Sequence, residues 1–171
     1  RESEFGKNEV WYILDCEKDS YLYLGLNKDY SKSEIQQKVN DKSITEALNK
    51  VYVKPGDVLF VPAGTIHAIG AGILICEIQQ NSNSTYRLYD YERRDKNNNL
   101  RPLHIDKAMD VVDCNQYLVN TDGVGETIKY ARSEQRLLCE CKYFEVKYYD
   151  IPKHEIIMVD DSSFKAIVVI E

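Results

Sequence analysis

The chain has 171 residues, of which 43% are hydrophobic and 29% charged, a composition that excludes a disordered segment and leaves room for one domain or for one domain and part of another. Its net charge of −6, with no basic run to offset it, argues against nucleic-acid and anionic-membrane partners. No apolar run approaches the ~20 residues of a membrane span, Arg1-Glu2-Ser3-Glu4 is no signal-peptide start, and five scattered cysteines without a C-x-x-C pair read as reduced thiols in a cytoplasmic protein.

The first element is a strand entered from Phe5-Gly6-Lys7-Asn8, with Glu9, Trp11 and Ile13 on one face and Val10, Tyr12 and Leu14 on the other. Glu9 therefore points the same way as two large apolar side chains. An isolated buried charge is too costly, so Glu9 must be paired or hold a cation; on this strand alone a salt bridge to a lysine at a barrel mouth is the better account. Tyr21 to Leu26 reads as the next strand. Ser31-x-x-Glu34 and Ser43-x-x-Glu46 each read as a capping box opening a short helix, and both helices read as covers for a sheet edge or a barrel end.

After Val51-Tyr52-Val53 comes the most informative stretch. Pro55-Gly56-Asp57 predicts a turn, Val58 to Val61 a short buried strand, Pro62-Ala63-Gly64-Thr65 a second turn, and Ile66 to Ile69 the start of another strand. His67 is thus delivered to a fixed place by a tight turn between strands, where a ring nitrogen can be offered to a metal.

Ile73 to Gln80 reads as a long strand with Ile73, Ile75, Glu77 and Gln79 on one face, so a second carboxylate sits in an apolar strand. Thr85 to Tyr91 is expected to resume a strand on which Arg87 alternates with Thr85 and Tyr89. Arg87 could then hold a phosphate or stabilise an oxyanion, or pair with Glu77 or Asp90. A short helix is expected after Pro102, with Asp106 as N-cap and His104 as a capping or surface residue rather than a ligand. Asn115 to Gly125 is polar and reads as linker, followed by strands at 137–141, 144–149, 156–159 and 166–170; His154 reads as exposed in a turn. Cys139 and Cys141 share a face and read as small buried residues rather than a metal pair.

Gly56-x5-Pro62-x-Gly64-x2-His67 resembles the second motif of the cupin superfamily, small β-barrels that commonly hold a metal, though Ala71 stands where the motif ends in asparagine. Glu9 partly meets the first motif, with Cys16 in its glycine position. Three segments together resemble type I mannose-6-phosphate isomerase of the short bacterial form: Gly6-Lys7-Asn8-Glu9-Val10-Trp11-Tyr12, Pro55 through Ile69, and Glu77-Ile78-Gln79-Gln80-Asn81-Ser82 through Tyr91. Arg101-Pro102-Leu103-His104-Ile105-Asp106-Lys107-Ala108 resembles the same family.

The resemblance implies a mainly β fold: a cupin β-barrel, or jelly roll, with a few short helices, followed by part of a second cupin-like domain. It divides the chain into a catalytic cupin domain at 1–114, a linker at 115–133 and the start of the second domain at 134–171. It implies one Zn²⁺ per subunit, with Glu9 and His67 among the metal ligands, which reverses the reading of Glu9 made from its strand alone. It implies catalytic roles for Arg87 and Lys7, and a substrate-binding role for Glu77 together with Lys7. The substrate would be a phosphosugar, mannose 6-phosphate interconverting with fructose 6-phosphate. The family's further histidine ligand, in an upstream Val-His-Pro segment, has no counterpart, and the second domain is short, so an internal fragment is expected. Rival readings are a non-catalytic phosphosugar-binding cupin, a cupin dioxygenase that would need more than one motif histidine and iron, and a metal-free barrel in which Glu9 and His67 pair. Nothing in the sequence bears on oligomeric state.

Overall fold

The computed structural model describes residues 6–130, 133–154, 156 and 161–170. Its centre is β1 (Glu9–Cys16), flanked in an antiparallel sheet by β4 (Val58–Val61) and β6 (Ile73–Gln79). A second antiparallel sheet has β2 (Tyr21–Leu26) between β3 (Leu48–Tyr52) and β5 (His67–Ile69). The two sheets face each other across a core in which Trp11, Ile13 and Leu59 meet Leu22, Leu24 and Val51. Each such side chain contributes ~1.5–3 kcal/mol by leaving water. The fold is mainly β, as expected, with the facing sheets of a jelly roll.

The unbroken apolar run of β1 has a structural reason, because the strand is buried on both faces. Val10 and Val58 turn away from the first core and pack against Leu138 and Cys139 of β8 (Glu134–Glu140). That strand lies between β7 (Thr127–Lys129) and β9 (Glu145–Asp150) in a third antiparallel sheet. Two helices close the barrel end: α1 (Lys32–Asn40) and α2 (Ile105–Val111) share a core with Leu26, Leu48 and Leu88.

The segment read as linker runs along the barrel. Tyr117 donates its amide to Leu26 O (2.9 Å) and its hydroxyl to Phe60 O (2.5 Å), and its carbonyl accepts from Asn49 Nδ2 (2.9 Å). Asp122 bridges Val58 before the chain enters β7.

Several local expectations are corrected. The Ser31 capping box forms, but Ser43 gives its hydroxyl to Asp41, and Ile44–Ala47 is one 3₁₀ turn rather than a capped helix. Asp106 lies inside α2, and His104 takes the N-cap position. Residues 85–91 have no ladder partners and end in a turn at Tyr91, so Arg87 is not on a strand. Residues 166–170 are not in a strand either, and Ile167, Val168 and Val169 are exposed. Of the strand expected at 156–159, all but Ile156 lies outside the described residues. His154 is exposed, as read.

Candidate active site

The corner Pro62 to Ile66 is where the chain leaves one sheet and enters the other, since β4 belongs to the first and β5 to the second. Thr65 N bonds Pro62 O at 3.1 Å to close the turn, and Gly64 takes φ +88°. Any side chain at Gly64 would also collide with the Val111 carbonyl, 2.6 Å from where its Cβ would sit. The turn is therefore fixed by glycine conformation and by α2 behind it. It brings His67, paired in register with Leu24, into the cleft where it faces Glu9 at the start of β1.

Glu9 is only 2% exposed. Its Oε1 meets Lys7 Nζ at 2.9 Å and its Oε2 accepts from Trp11 Nε1 at 3.1 Å. Lys7 is further held by Gln79 Oε1 at 2.5 Å, from the neighbouring strand. The lysine pairing read from the strand is thus present, and it accounts for one carboxylate oxygen. The other faces His67, whose Nε2 lies 4.0 Å from Glu9 Oε2. The His67 ring stands edge-on to Trp11, with centroids 5.3 Å apart.

The tautomer follows from geometry. His67 Nδ1 lies 2.9 Å from Thr65 O, a carbonyl that only accepts, so Nδ1 carries a proton; with no second proton on the ring, Nε2 presents a lone pair. That lone pair and a carboxylate oxygen then face each other as two acceptors. A cation between them satisfies both, so these two residues fit as part of a metal ligand set. Among the described residues no group of three or more His, Cys, Asp and Glu is placed to hold a metal ion by itself.

Glu77 sits opposite Trp11 in the β1–β6 register, two pairs along from Glu9 and so on the same face. Its carboxyl is raised above the usual range, first by desolvation and then by the neighbouring Glu9 carboxylate. Lys7, Glu9, His67 and Arg87 line one cleft of about 1410 Å³; Glu77 lies beside Glu9 rather than on that wall.

Arg87 reaches the cleft from the segment 85–91, which joins no ladder. Its Nη1 donates to Pro102 O at 3.0 Å and its Nε lies 3.7 Å from Asp90 Oδ1, the second of the two partners read for it. Its backbone is held by His104, which accepts from Arg87 N through Nδ1 (3.2 Å) and donates its own amide to Arg87 O (2.8 Å). Sequence reasoning missed this residue as part of the site. Cys139 is buried, with its thiol pushed up to about 11 by burial, and stands far from nucleophilic use.

No protein-family model matches the chain. Over 86% of its length it is 42% identical to a mannose-6-phosphate isomerase, ManA, of Bacillus subtilis (strain 168), covering 46% of that protein. Over 99% of its length it is 37% identical to a putative mannose-6-phosphate isomerase, YvyI, of the same organism, covering 52% of it. The crystal structure of the mannose 6-phosphate isomerase from Bacillus subtilis superposes with a TM-score of 0.79 at 35% identity, over 88% of this chain and 47% of that one. The chain thus spans about half the length of these relatives.

Proposed function

We propose that this chain, a homologue of the mannose-6-phosphate isomerases, forms the reaction centre of an enzyme that interconverts mannose 6-phosphate and fructose 6-phosphate. The observation that carries the reading is the facing pair Glu9 and His67, set in one cleft with Lys7 and Arg87. Within the chain we take residues 1–114 as the catalytic domain, 115–133 as a linker and 134–171 as the beginning of a second domain.

Isomerisation of an aldose to a ketose moves a proton from C2 to C1 while the carbonyl moves the other way, by way of an enediol. Glu9 and His67 are the residues that would hold a divalent ion, which we take to be zinc, one per subunit. When bound, such an ion supplies charge stabilisation at the sugar's carbonyl and hydroxyl oxygens. Arg87 directs a fixed positive charge into the cleft where an enediolate oxygen would develop. Lys7, tied between Glu9 and Gln79, keeps an ammonium proton donor at the same mouth and orients a substrate oxygen. Glu77 contributes a carboxyl whose proton is retained more readily than usual, and it organises Lys7 and Glu9 as substrate enters.

Among the described residues no helix is long and apolar enough to cross a membrane, and the reduced thiols fit our assignment to the cytoplasm. Equilibration of mannose 6-phosphate with fructose 6-phosphate by the full-length protein with zinc tests the reading. Binding of the sugar phosphate without conversion would favour a non-catalytic phosphosugar-binding protein.

A further inference from the structure

Both ladders of β1 reach their last pair at the same residue. Glu9 stands in register with Val61 on one side and with Gln79 on the other. The strand end that carries Glu9 is therefore where β4 and β6 are free to part. Beyond it β4 leads into the turn that presents His67.

Asn8 spans that opening with its side chain. Its Oδ1 accepts from Ala63 N at 3.0 Å, and its Nδ2 donates to Gln80 Oε1 at 2.8 Å. The same Gln80 oxygen accepts from Asn8 N at 2.9 Å, and Gln80 N donates back to Asn8 O at 3.1 Å. Both amide orientations follow from these partners. Ala63 N can only donate, so the atom facing it is an oxygen, and the Gln80 atom that receives two N–H groups is likewise its oxygen. One side chain thus joins the start of β1, the turn before β5 and the residue after β6.

The route from Asn8 to His67 is short. Asn8 holds Ala63 in the turn, Thr65 N closes the turn on Pro62 O at 3.1 Å, and Thr65 O takes the His67 Nδ1 proton at 2.9 Å. In the other direction Asn8 is bonded directly to Glu9, whose Oε2 lies 4.0 Å from His67 Nε2. Glu9 and His67 belong to different sheets, so no common ladder fixes their separation. Metal–ligand bonds tolerate errors of only ~0.2 Å, and second-shell partners supply that accuracy. Asn8 does not line the cleft itself, whereas its neighbours Lys7 and Glu9 do, because alternate residues of a strand face opposite ways.

We propose that Asn8, braced by Gln80, is a positioning residue that sets the spacing of Glu9 and His67, and with it the affinity and geometry with which the pair holds a divalent ion. That this pair holds an ion rests on the reading of the chain as a metal-dependent isomerase; the brace itself does not.

The test is titration of metal-stripped full-length protein with Zn²⁺, and with Co²⁺ followed by visible absorption, for the parent, Asn8→Ala and Gln80→Met. Hydrogen exchange of the amides at 62–67 is measured on the same metal-free proteins. Asn8→Ala should bind Zn²⁺ about 10–100-fold more weakly, the usual loss when a second-shell partner is removed. Its Co²⁺ bands should move, since they report ligand geometry, which a loss of overall stability would leave unchanged. Exchange at 62–67 should quicken while β8 keeps the parent's rates. Gln80→Met retains the bond to Ala63 and loses the brace, so its effects should be the same in kind and smaller. If Asn8→Ala does not fold, Gln80→Met decides. Zn²⁺ affinity or Co²⁺ bands at the parent's values in the deciding variant overturn the role, and Zn²⁺ binding by the parent then still upholds the metal reading. No Zn²⁺ binding by the parent overturns both. A parent whose Zn²⁺ binding depends on Asn8, but which never equilibrates mannose 6-phosphate with fructose 6-phosphate, upholds the role and removes the isomerase reading.

Discussion

His104 holds Arg87 by both of its backbone groups: the Arg87 amide donates to His104 Nδ1 at 3.2 Å, and the Arg87 carbonyl accepts from the His104 amide at 2.8 Å. Arg87 has no ladder partners, so this two-way clip, with the Nη1 bond to Pro102 O, fixes where its guanidinium stands. His104 does its work without entering the chemistry.

A positioning role predicts a particular kinetic pattern. His104→Ala should lower kcat by ~10-fold or more while zinc content and unfolding temperature stay near the parent's, because misplacing a catalytic group is costly in rate. His104→Asn, which keeps a side-chain acceptor for the Arg87 amide, should recover part of the loss. Equal activity in all three proteins would remove the role.

Arg87 itself is expected to matter far more for turnover than for folding. Arg87→Ala should reduce kcat by at least ~10²-fold, the scale of losing one preorganised charge stabiliser, with metal content unchanged. Steady-state kinetics with metal analysis on the same preparation checks both halves.

Asp90 gives a pH signature. Its carboxyl is held below the ordinary value of 3.8, first by the hydrogen bond from Arg101 and then by the charges of Arg93 and Arg101, against opposing desolvation. A folded-state pKa below the unfolded one adds stability above the unfolded value, and that stability is lost as pH falls through the folded one. The parent should therefore unfold at a higher temperature than Asp90→Asn at neutral pH. The gap should close as the pH falls below 3.8, and thermal melts across that range read it directly.

The strapped segment predicts a stability effect remote from the site. Gly25 has φ +67°, and a Cβ there would lie 2.2 Å from Tyr117 Cβ. Gly25→Ala combines left-handed strain with a clash and should cost ~2 kcal/mol or more. Tyr117→Phe loses only the bond to Phe60 O, about 1 kcal/mol. Chemical denaturation of both variants distinguishes the two sizes of effect.

Much of this was legible in the residues. The alternation of Glu9, Trp11 and Ile13, and the glycine-bounded turn before His67, follow from local rules and are where the site is built. Thr85 to Tyr91 reads as a strand because it is rich in β-branched and aromatic residues, yet it joins no ladder and turns at Tyr91. Likewise Asn115 to Gly125 reads as polar linker because many of its anchors are polar, through backbone groups, the Gln116 amide and the Tyr117 hydroxyl, which leave no hydrophobic period. The Asp90 cluster depends on the left-handed turn at Tyr91 and Glu92, which no residue type there announces. The resemblance, not the periodicity, makes Glu9 a candidate metal ligand as well as a lysine partner, and the structure has it facing both Lys7 and His67.

The most direct test of the central claim is the turnover of mannose 6-phosphate by metal-stripped full-length protein as zinc is added back, for the parent and for His67→Ala. The account predicts that the parent regains fructose 6-phosphate formation up to one zinc per chain, whereas His67→Ala stays inactive through the same addition. Full turnover by the stripped parent, or an identical zinc response from His67→Ala, would contradict it.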